Sequence, residues 1–284
     1  MHQSLTKEQR ERWLKGAFYN MVGYWPNLNN PKTFNEKICW YRLYYEHPDI
    51  RKIIDKVEFK KYVYDVLGDG YTTKLYGVYE DEWEIDFDTL PDQFVLKSSI
   101  SAEANNIIVV EDKKSLDQEK LRYGVSEWLQ PWNTSSNSFC NWYRDLHPRA
   151  LAEELLNPAD GGELKDYKIN CFGGVPEVVL VMAERSTGKY LNFYDLNWTL
   201  LPFEQKYKNA PYPIDKPRHF DKMVEIAKVL SKPFPFVRVD FYEANERVYL
   251  GELTFSPGGG LHPFSPQKWD RIQGEKITLP AFSS

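Results

Sequence analysis

Cysteine is scarce in this chain. Only Cys39, Cys140 and Cys171 occur among 284 residues, odd in number and far apart. They form no metal-ligand spacing and no disulfide framework, and they suit a reducing cytoplasm. Positive charge is also short. Thirty-six Lys and Arg stand against 41 Asp and Glu, for a net charge of −5. That argues against a general nucleic-acid binder, which needs a basic face, while local basic clusters can still hold phosphate. Long apolar runs are missing. None approaches the ~18 residues that span a bilayer, and the opening MHQSLTKEQRERWLKG has no apolar signal segment. The expected location is the cytoplasm. No GxGxxG follows a strand, there is no GxxxxGK[ST] loop, and no internal repeat or low-complexity tract appears.

The length suits one large domain or two intimate ones, with room for a sizeable core. Aromatics are plentiful, at 15% with 19 Tyr and 9 Trp. They read as a core of large rings, or as rings lining a sugar or nucleotide site. The first 66 residues read as helical. In PKTFNEKICWYRLYY, Thr33 and Glu36 form a capping box, and Phe34, Ile38 and Tyr41 follow at helical spacing. A second helix, IRKIIDKVEFKKYVYDVLG, stops at Gly68 and Gly70. Strands are expected in TTKLYGVYE, QFVLKSS and NIIVVED, the last two as a hairpin. A helix is expected from Ser115 to Trp128. RALAEELL reads as strand or helix, and KDYKINCFGGVPEVVLVMAER as two strands about a Gly-Gly turn. HFDKMVEIAKVL reads as a helix with Phe220, Val224, Ala227 and Leu230 on one face. Helices followed by strands with hairpin connections indicate an α+β protein with antiparallel sheets.

The last strand pair, FVRVDFYEANERVYLGELTF (236–255), carries three misplaced charges. Alternation puts Arg238 and Asp240 on one face of the first strand and Glu252 and Thr254 on one face of the second, opposite Tyr249 and Gly251. A turn centred on Ala244–Asn245 makes Arg238 face Glu252, with Asp240 diagonal to Glu252. One reading is a buried ion pair of Arg238 with either carboxylate, worth little net stability. The other is a magnesium site, since a hard cation takes oxygen ligands and keeps phosphate and water as the rest of its shell, with Arg238 beside it for a phosphate oxygen. Lys97, at the end of QFVL, and Lys168, in DYKIN, are either solvated strand residues or phosphate partners. Glu153 and Glu154 interrupt the apolar LAEELL, where backbone groups can meet an adenine edge.

The order KTFNEK (32–37), DK (55–56), LPDQFVLK (90–97), EELL (153–156), DYK (166–168), FDKMVEIAKVLS (220–231), FPFVRVDFY (234–242) and GELTF (251–255) resembles the TupA-like branch of the ATP-grasp enzymes. That branch is found in polysaccharide and teichuronopeptide biosynthesis. The resemblance covers most of the chain from residue 30 onward. It implies two α+β subdomains that clasp ATP, preceded by a helical N-terminal region, with divisions at 1–90, 91–158 and 159–284. Carried over, Lys97 and Lys168 contact ATP phosphates, and Glu153, Glu154, Leu155 and Leu156 line the adenine pocket. Asp240, Glu252 and Thr254 hold Mg2+, and Arg238, with Lys168, steadies the transferred phosphate. The implied cofactors are ATP and Mg2+. The implied reaction is an ADP-forming ligation of a carboxylate, such as a uronic acid of a surface glycan, to an amine or amino acid through an acyl phosphate. Association with a membrane-bound glycan assembly system would be peripheral.

Two features depart from the family pattern. Thr254 stands where many ATP-grasp enzymes carry a metal-binding Asn. The stretch Ser98–Asn105 has no glycine and includes Glu103, where a small glycine-bearing loop over the phosphates is expected. A sugar kinase on the same fold, a glycosyltransferase and a non-catalytic nucleotide or glycan binder stay open. For the glycosyltransferase, Asp86-Phe87-Asp88 is the one Asp-x-Asp pattern noted, and it reads better as a solvated turn. Gly258–Gly260, in SPGGGLHPF, read as an approach to the acceptor or as a flexible turn. His262 and Arg185 are further candidates near the site, each with a structural or surface reading beside it.

Overall fold

The computed structural model describes residues 5–100, 106–130, 140–143, 146–158, 162–184 and 190–281. Glu103 and most of its loop, Arg185 and most of the connector QPWNTSSNSF lie outside the described residues. Grouped by contacts, the chain forms two compact units: His47–Leu156, and Met1–Glu46 together with Asn157–Ser284. This partition differs from the one at 90/91 and 158/159, because the first helices belong with the C-terminal half.

The His47–Leu156 unit begins with helices α3 (Ile50–Ile53) and α4 (Lys56–Leu67). Asp55 caps α4 by accepting from the amides of Val57 and Glu58. Four strands follow, β1 (Leu75–Tyr79), β2 (Phe94–Ser98), β3 (Ile107–Val110) and β4 (Ala150–Glu153), with α5 (Gln118–Trp128) between the last two. They form an antiparallel sheet in the order β1-β4-β2-β3. Period-2 alternation sorts its side chains. Phe94, Leu96, Ala150 and Ala152 pack with Leu121, Val125 and Trp128 of α5 in one buried cluster. Val95, Lys97, Leu151 and Glu153 therefore belong to the other face. RALAEELL is thus a strand, and QFVLKSS pairs with NIIVVED as an antiparallel hairpin.

The other unit holds α1 (Lys7–Val22) and α2 (Phe34–Tyr44). The Thr33–Glu36 capping box forms as expected. Strands β5 (Asp166–Phe172), β6 (Val175–Ala183) and β7 (Tyr190–Tyr194) precede the short β8 (Glu204–Gln205), α6 (Phe220–Ser231), β9 (Phe236–Ala244) and β10 (Arg247–Thr254). The short β11 (Phe264–Ser265), which pairs with β8, and α7 (Lys268–Glu275) complete it. The main sheet runs β10-β9-β5-β6-β7, antiparallel throughout. In α6, Phe220, Met223, Ile226, Ala227 and Leu230 are buried. Val224 is only half-buried, so the apolar stripe turns toward Met223 and Ile226 from the expected line. Phe34 and Ile38 of α2 pack with Phe172, Phe236 and Phe193 in another cluster. Phe236 and Phe172 share their strand faces with Arg238, Asp240, Lys168 and Asp166. The charged residues thus extend a face whose other end is an apolar core.

Helix α2 and the loop before it are tied to α7 and the segment after it by polar bonds. Asp270 of α7 accepts from the Asn35 amide at 2.9 Å and from the Tyr24 hydroxyl at 3.2 Å. Lys37 donates to the carbonyls of Gly274 and Ile277 at 2.8 and 2.7 Å. The segment Gly258–Gly260 is a turn whose last glycine is buried while Gly258 is exposed. All three glycines have positive φ, at 57°, 63° and 72°, and an added Cβ at Gly260 would lie 2.8 Å from the Asn35 carbonyl oxygen. The turn is pressed onto α2, and only glycine fits.

Candidate nucleotide and metal site

The hairpin register differs from the expected one, and the difference sets the site. The turn is Asn245–Glu246, one residue later than the sequence suggested, with φ of 50° and 56°. Two consecutive positive φ values are the geometry of a type I′ turn, whose twist matches antiparallel strands. This turn pairs odd residues with even ones, as in Tyr249 with Tyr242. Continued unbroken, it would send Glu252 to the face away from Asp240. A bulge between Leu250 and Glu252, at Gly251, absorbs one residue and restores parity. Asp240 then lies directly opposite Glu252, and Arg238 opposite Thr254. Arg238 does not face Glu252, and Tyr249 lies before the bulge on the Asp240 face. Gly251 is required there, because a Cβ would sit 2.9 Å from the Tyr242 ring.

The resulting cluster is dense. Arg238 reaches Asp240 through two bonds, Nε to Oδ1 and Nη2 to Oδ2, both 2.6 Å. Lys168, directly across β5 from Asp240, donates to Oδ2 at 2.7 Å. Its ammonium also lies 3.6 Å from Asp166 Oδ2. Thr254 bridges, accepting from Arg238 at 3.0 Å and donating to Glu252 Oε1 at 2.9 Å. The Asp240 side chain is 4% exposed and that of Glu252 is 43% exposed. Burial pushes the Asp240 carboxyl up, but Arg238 and then Lys168 outweigh it and hold it below the usual carboxylate range. Burial likewise opposes the Arg238 charge, and Asp240 outweighs it. The expected ion pair therefore exists, between Arg238 and Asp240.

The same residues suit a hard cation. All the donors are oxygen, as magnesium prefers. A carboxylate has about four lone-pair sites. The three bonds to Asp240 leave one, on Oδ1. Glu252 has the more accessible carboxylate and is the stronger candidate ligand. The Thr254 hydroxyl already ties Arg238 to Glu252, which makes it the weakest of the three expected ligands. Among the described residues no group of three or more His, Cys, Asp or Glu forms a metal cage. One or two carboxylates completed by phosphate and water is the usual magnesium arrangement in any case.

A second cluster lies on the α5-free face of the other sheet. Lys97 and Glu153 are diagonal neighbours on β2 and β4, and they form an ion pair. Lys60, from α4, joins Glu153 at 2.9 Å, and its ammonium also bonds the Thr73 carbonyl and hydroxyl at 2.7 Å each. The Thr73 hydroxyl donates to Glu153 at 2.9 Å. Burial pushes the Glu153 carboxyl up, but Lys97 and Lys60 bring it down to about 2. Burial pushes the Lys60 ammonium down, and Lys97 adds to that. Sequence reasoning missed Lys60. The signal was faint: it lies one helical turn beyond Lys56 of the DK pair, on a helix whose docking is a long-range event. Glu154 is not beside its neighbour; its carboxylate accepts from the Lys74 amide at 3.2 Å. Leu155 is half-buried and Leu156 is buried. His262 is partly buried, and burial drives its imidazole down to about 4.

These elements and motifs agree with one family model, described as TupA-like ATPgrasp, which matches residues 36–278. The chain belongs to the TupA-like ATP-grasp family. Its fold is the ATP-grasp fold, α+β with antiparallel sheets. No curated protein matches it. Among solved structures it is similar to the D-alanine–D-alanine ligase of Helicobacter pylori, at 15% identity and a TM-score of 0.43, over 80% of this chain and 61% of the ligase. The D-alanine–D-alanine ligase of Bacillus anthracis gives 13% identity and a TM-score of 0.47, over 79% of this chain and 67% of that one. Phosphoribosylamine–glycine ligase of Thermotoga maritima gives 12% and 0.42, over 72% of this chain and 48% of that one. The chain thus spans less than two thirds of the first of these ligases. Among the described residues no helix is long and apolar enough to cross a membrane.

Proposed function

We propose that the chain is an ATP- and magnesium-dependent carboxylate–amine ligase. It releases ADP and acts on a carboxylate of a surface polysaccharide or its precursor, with a uronic acid as the favoured acceptor. Family membership supports the nucleotide and the glycan setting. The observation that carries the chemistry is the opposite charge balance of the two clusters. Among the described residues that pair with one another there, Lys60 and Lys97 outnumber Glu153, an excess of positive charge that Glu154 offsets in part from farther off and that suits phosphate. Asp166, Asp240 and Glu252 outnumber Lys168 and Arg238, which leaves an excess negative charge suited to a cation.

In this reading Lys60 and Lys97 neutralise phosphate oxygens, with Glu153 holding both ammoniums in place. Glu153 thereby acts through the lysines rather than on adenine; Glu154, Leu155 and Leu156 keep the adenine-pocket assignment. Glu252 and Asp240 would hold Mg2+, which when bound supplies positive charge to the phosphate oxygens. Arg238 and Lys168 orient the transferred phosphoryl group. A substrate carboxylate oxygen attacks the γ-phosphorus, and the bond to ADP breaks. The amine then attacks the acyl carbon, phosphate departs with the bonding electrons, and the amine's proton is lost to solvent. The protein's part is positioning and charge neutralisation.

The test measures magnesium-dependent ATP binding and acid- and amine-dependent ADP release in the natural chain and in Glu252→Ala. The Glu252 side chain is partly exposed, so the variant is expected to fold as the natural chain does and to lose magnesium-dependent binding. Equal binding by both would sink the metal assignment. A stable phosphorylated product without amine would transfer the reading to a kinase, and AMP release would reject it.

A further inference from the structure

The groups assigned to phosphate in the His47–Leu156 unit come from separate elements: Lys60 from α4, Lys97 from the end of β2, and Glu153 from β4. One buried side chain joins all three elements. Asp55 is 5% exposed and stands immediately before α4. Its Oδ1 accepts the amides of Val57 and Glu58 at 2.8 and 3.1 Å, which caps the helix. The same oxygen accepts Arg149 Nη2 at 2.9 Å, and Oδ2 accepts the Ser99 hydroxyl at 2.9 Å. Arg149 directly precedes β4, and Ser99 directly follows β2.

The backbone closes the same joint. The Ser99 amide donates to the Arg149 carbonyl at 2.7 Å, the Arg149 amide to the Ser99 hydroxyl at 3.1 Å, and the Lys56 amide to the Ser99 carbonyl at 2.8 Å. A helix cap needs one oxygen, and serine or asparagine supplies it as well as aspartate does. The bonds to Arg149 and Ser99 serve no cap. We propose that Asp55 is a positioning residue that sets the spacing of Lys60, Glu153 and Lys97 for anion binding. The proposal rests on the nucleotide reading above. Asp55 touches no substrate itself. It fixes the start of α4, the end of β2 and the start of β4 relative to one another, and a binding constellation tolerates errors of only about 0.5 Å.

The experiment titrates magnesium–ATP calorimetrically into the full chain and into Asp55→Ser and Asp55→Asn, with thermal unfolding of each. Serine keeps the cap but is too short to hold Ser99 and Arg149 as well. Asparagine keeps the capping oxygen and offers an amide N–H to the Ser99 hydroxyl. Asp55→Ser is expected to weaken ATP binding about tenfold or more, and Asp55→Asn by no more than about threefold. If Asp55→Ser does not fold, Ser99→Ala removes the Oδ2 contact together with the Arg149 amide's bond to the same hydroxyl, and is expected to weaken binding about fivefold. Natural-level binding by a folded Asp55→Ser or Ser99→Ala overturns the inference alone. So does an Asp55→Asn as weak as Asp55→Ser, because geometry would then not be the cause. No binding by the natural chain overturns the nucleotide reading and this inference with it.

Discussion

Replacing Glu153 by glutamine removes a carboxylate that the Lys60 and Lys97 ammoniums share. The side chain is 7% exposed, and the two lysines are 12% and 15% exposed, so solvent screens little of the interaction. The carboxyl is pulled from 4.5 to about 2 in the folded chain. That lowering corresponds to about 3 kcal/mol of stability at neutral pH. The sign follows from linkage. The unfolded chain binds the proton more readily, so the contribution is whole above the unfolded value of 4.5 and fades as pH falls toward about 2. At pH of about 3.5 about 2 kcal/mol should remain. The assay is urea unfolding of the natural chain and Glu153→Gln at several pH values, followed by the fluorescence of Trp128 in a variant that keeps that tryptophan alone. The difference between the two proteins should be near 3 kcal/mol at pH of about 7 and should shrink on acidification. A difference independent of pH, or one below about 1 kcal/mol at neutral pH, would refute the shared-counterion reasoning.

Three further outcomes are expected. Gly260→Ala places a Cβ against the Asn35 carbonyl and the Cys39 backbone at a φ of 72°, so thermal unfolding should show a loss of about 2–3 kcal/mol. Thr33→Ala removes the hydroxyl half of the α2 capping box and should lower stability by about 1 kcal/mol in denaturant titration, with no change in magnesium-dependent ATP affinity. His262 is held near 4, below its ordinary 6.5, so the folded chain binds its proton less readily than the unfolded chain does. Stability should therefore decline as pH falls from 6.5 toward 4, and His262→Gln should flatten that decline in a pH series of melting temperatures.

Much of this protein was legible as local pattern. Helix starts follow from side chains that bond their own backbone within three residues, which is why Thr33 and Glu36 could be read without a fold. Strand faces follow from a period of two, which put Arg238 with Asp240 and Glu252 with Thr254. What alternation could not supply was which residue of one strand meets which of the next. That depended on a turn with two positive φ values and on the bulge at Gly251, each of which moves the register by one residue. A glycine inside a strand was the visible sign of the bulge, though its effect on parity needs the partner strand.

The triad of Lys60, Glu153 and Lys97 was out of reach for a related reason. Its members are separated by 37 and more residues, and it forms only when α4 meets the open face of a sheet whose strands are ordered β1-β4-β2-β3. The glycines of SPGGG gave no hint of their role until α2 lay against them. By itself the sequence determined most of the elements, the faces of the Arg238–Asp240 and Glu252–Thr254 pairs and the family, because these depend on bonds and periodicities within a few residues. Tertiary structure alone decided which charges neutralise one another, because a buried charge is governed by whatever distant group the fold brings within about 3 Å.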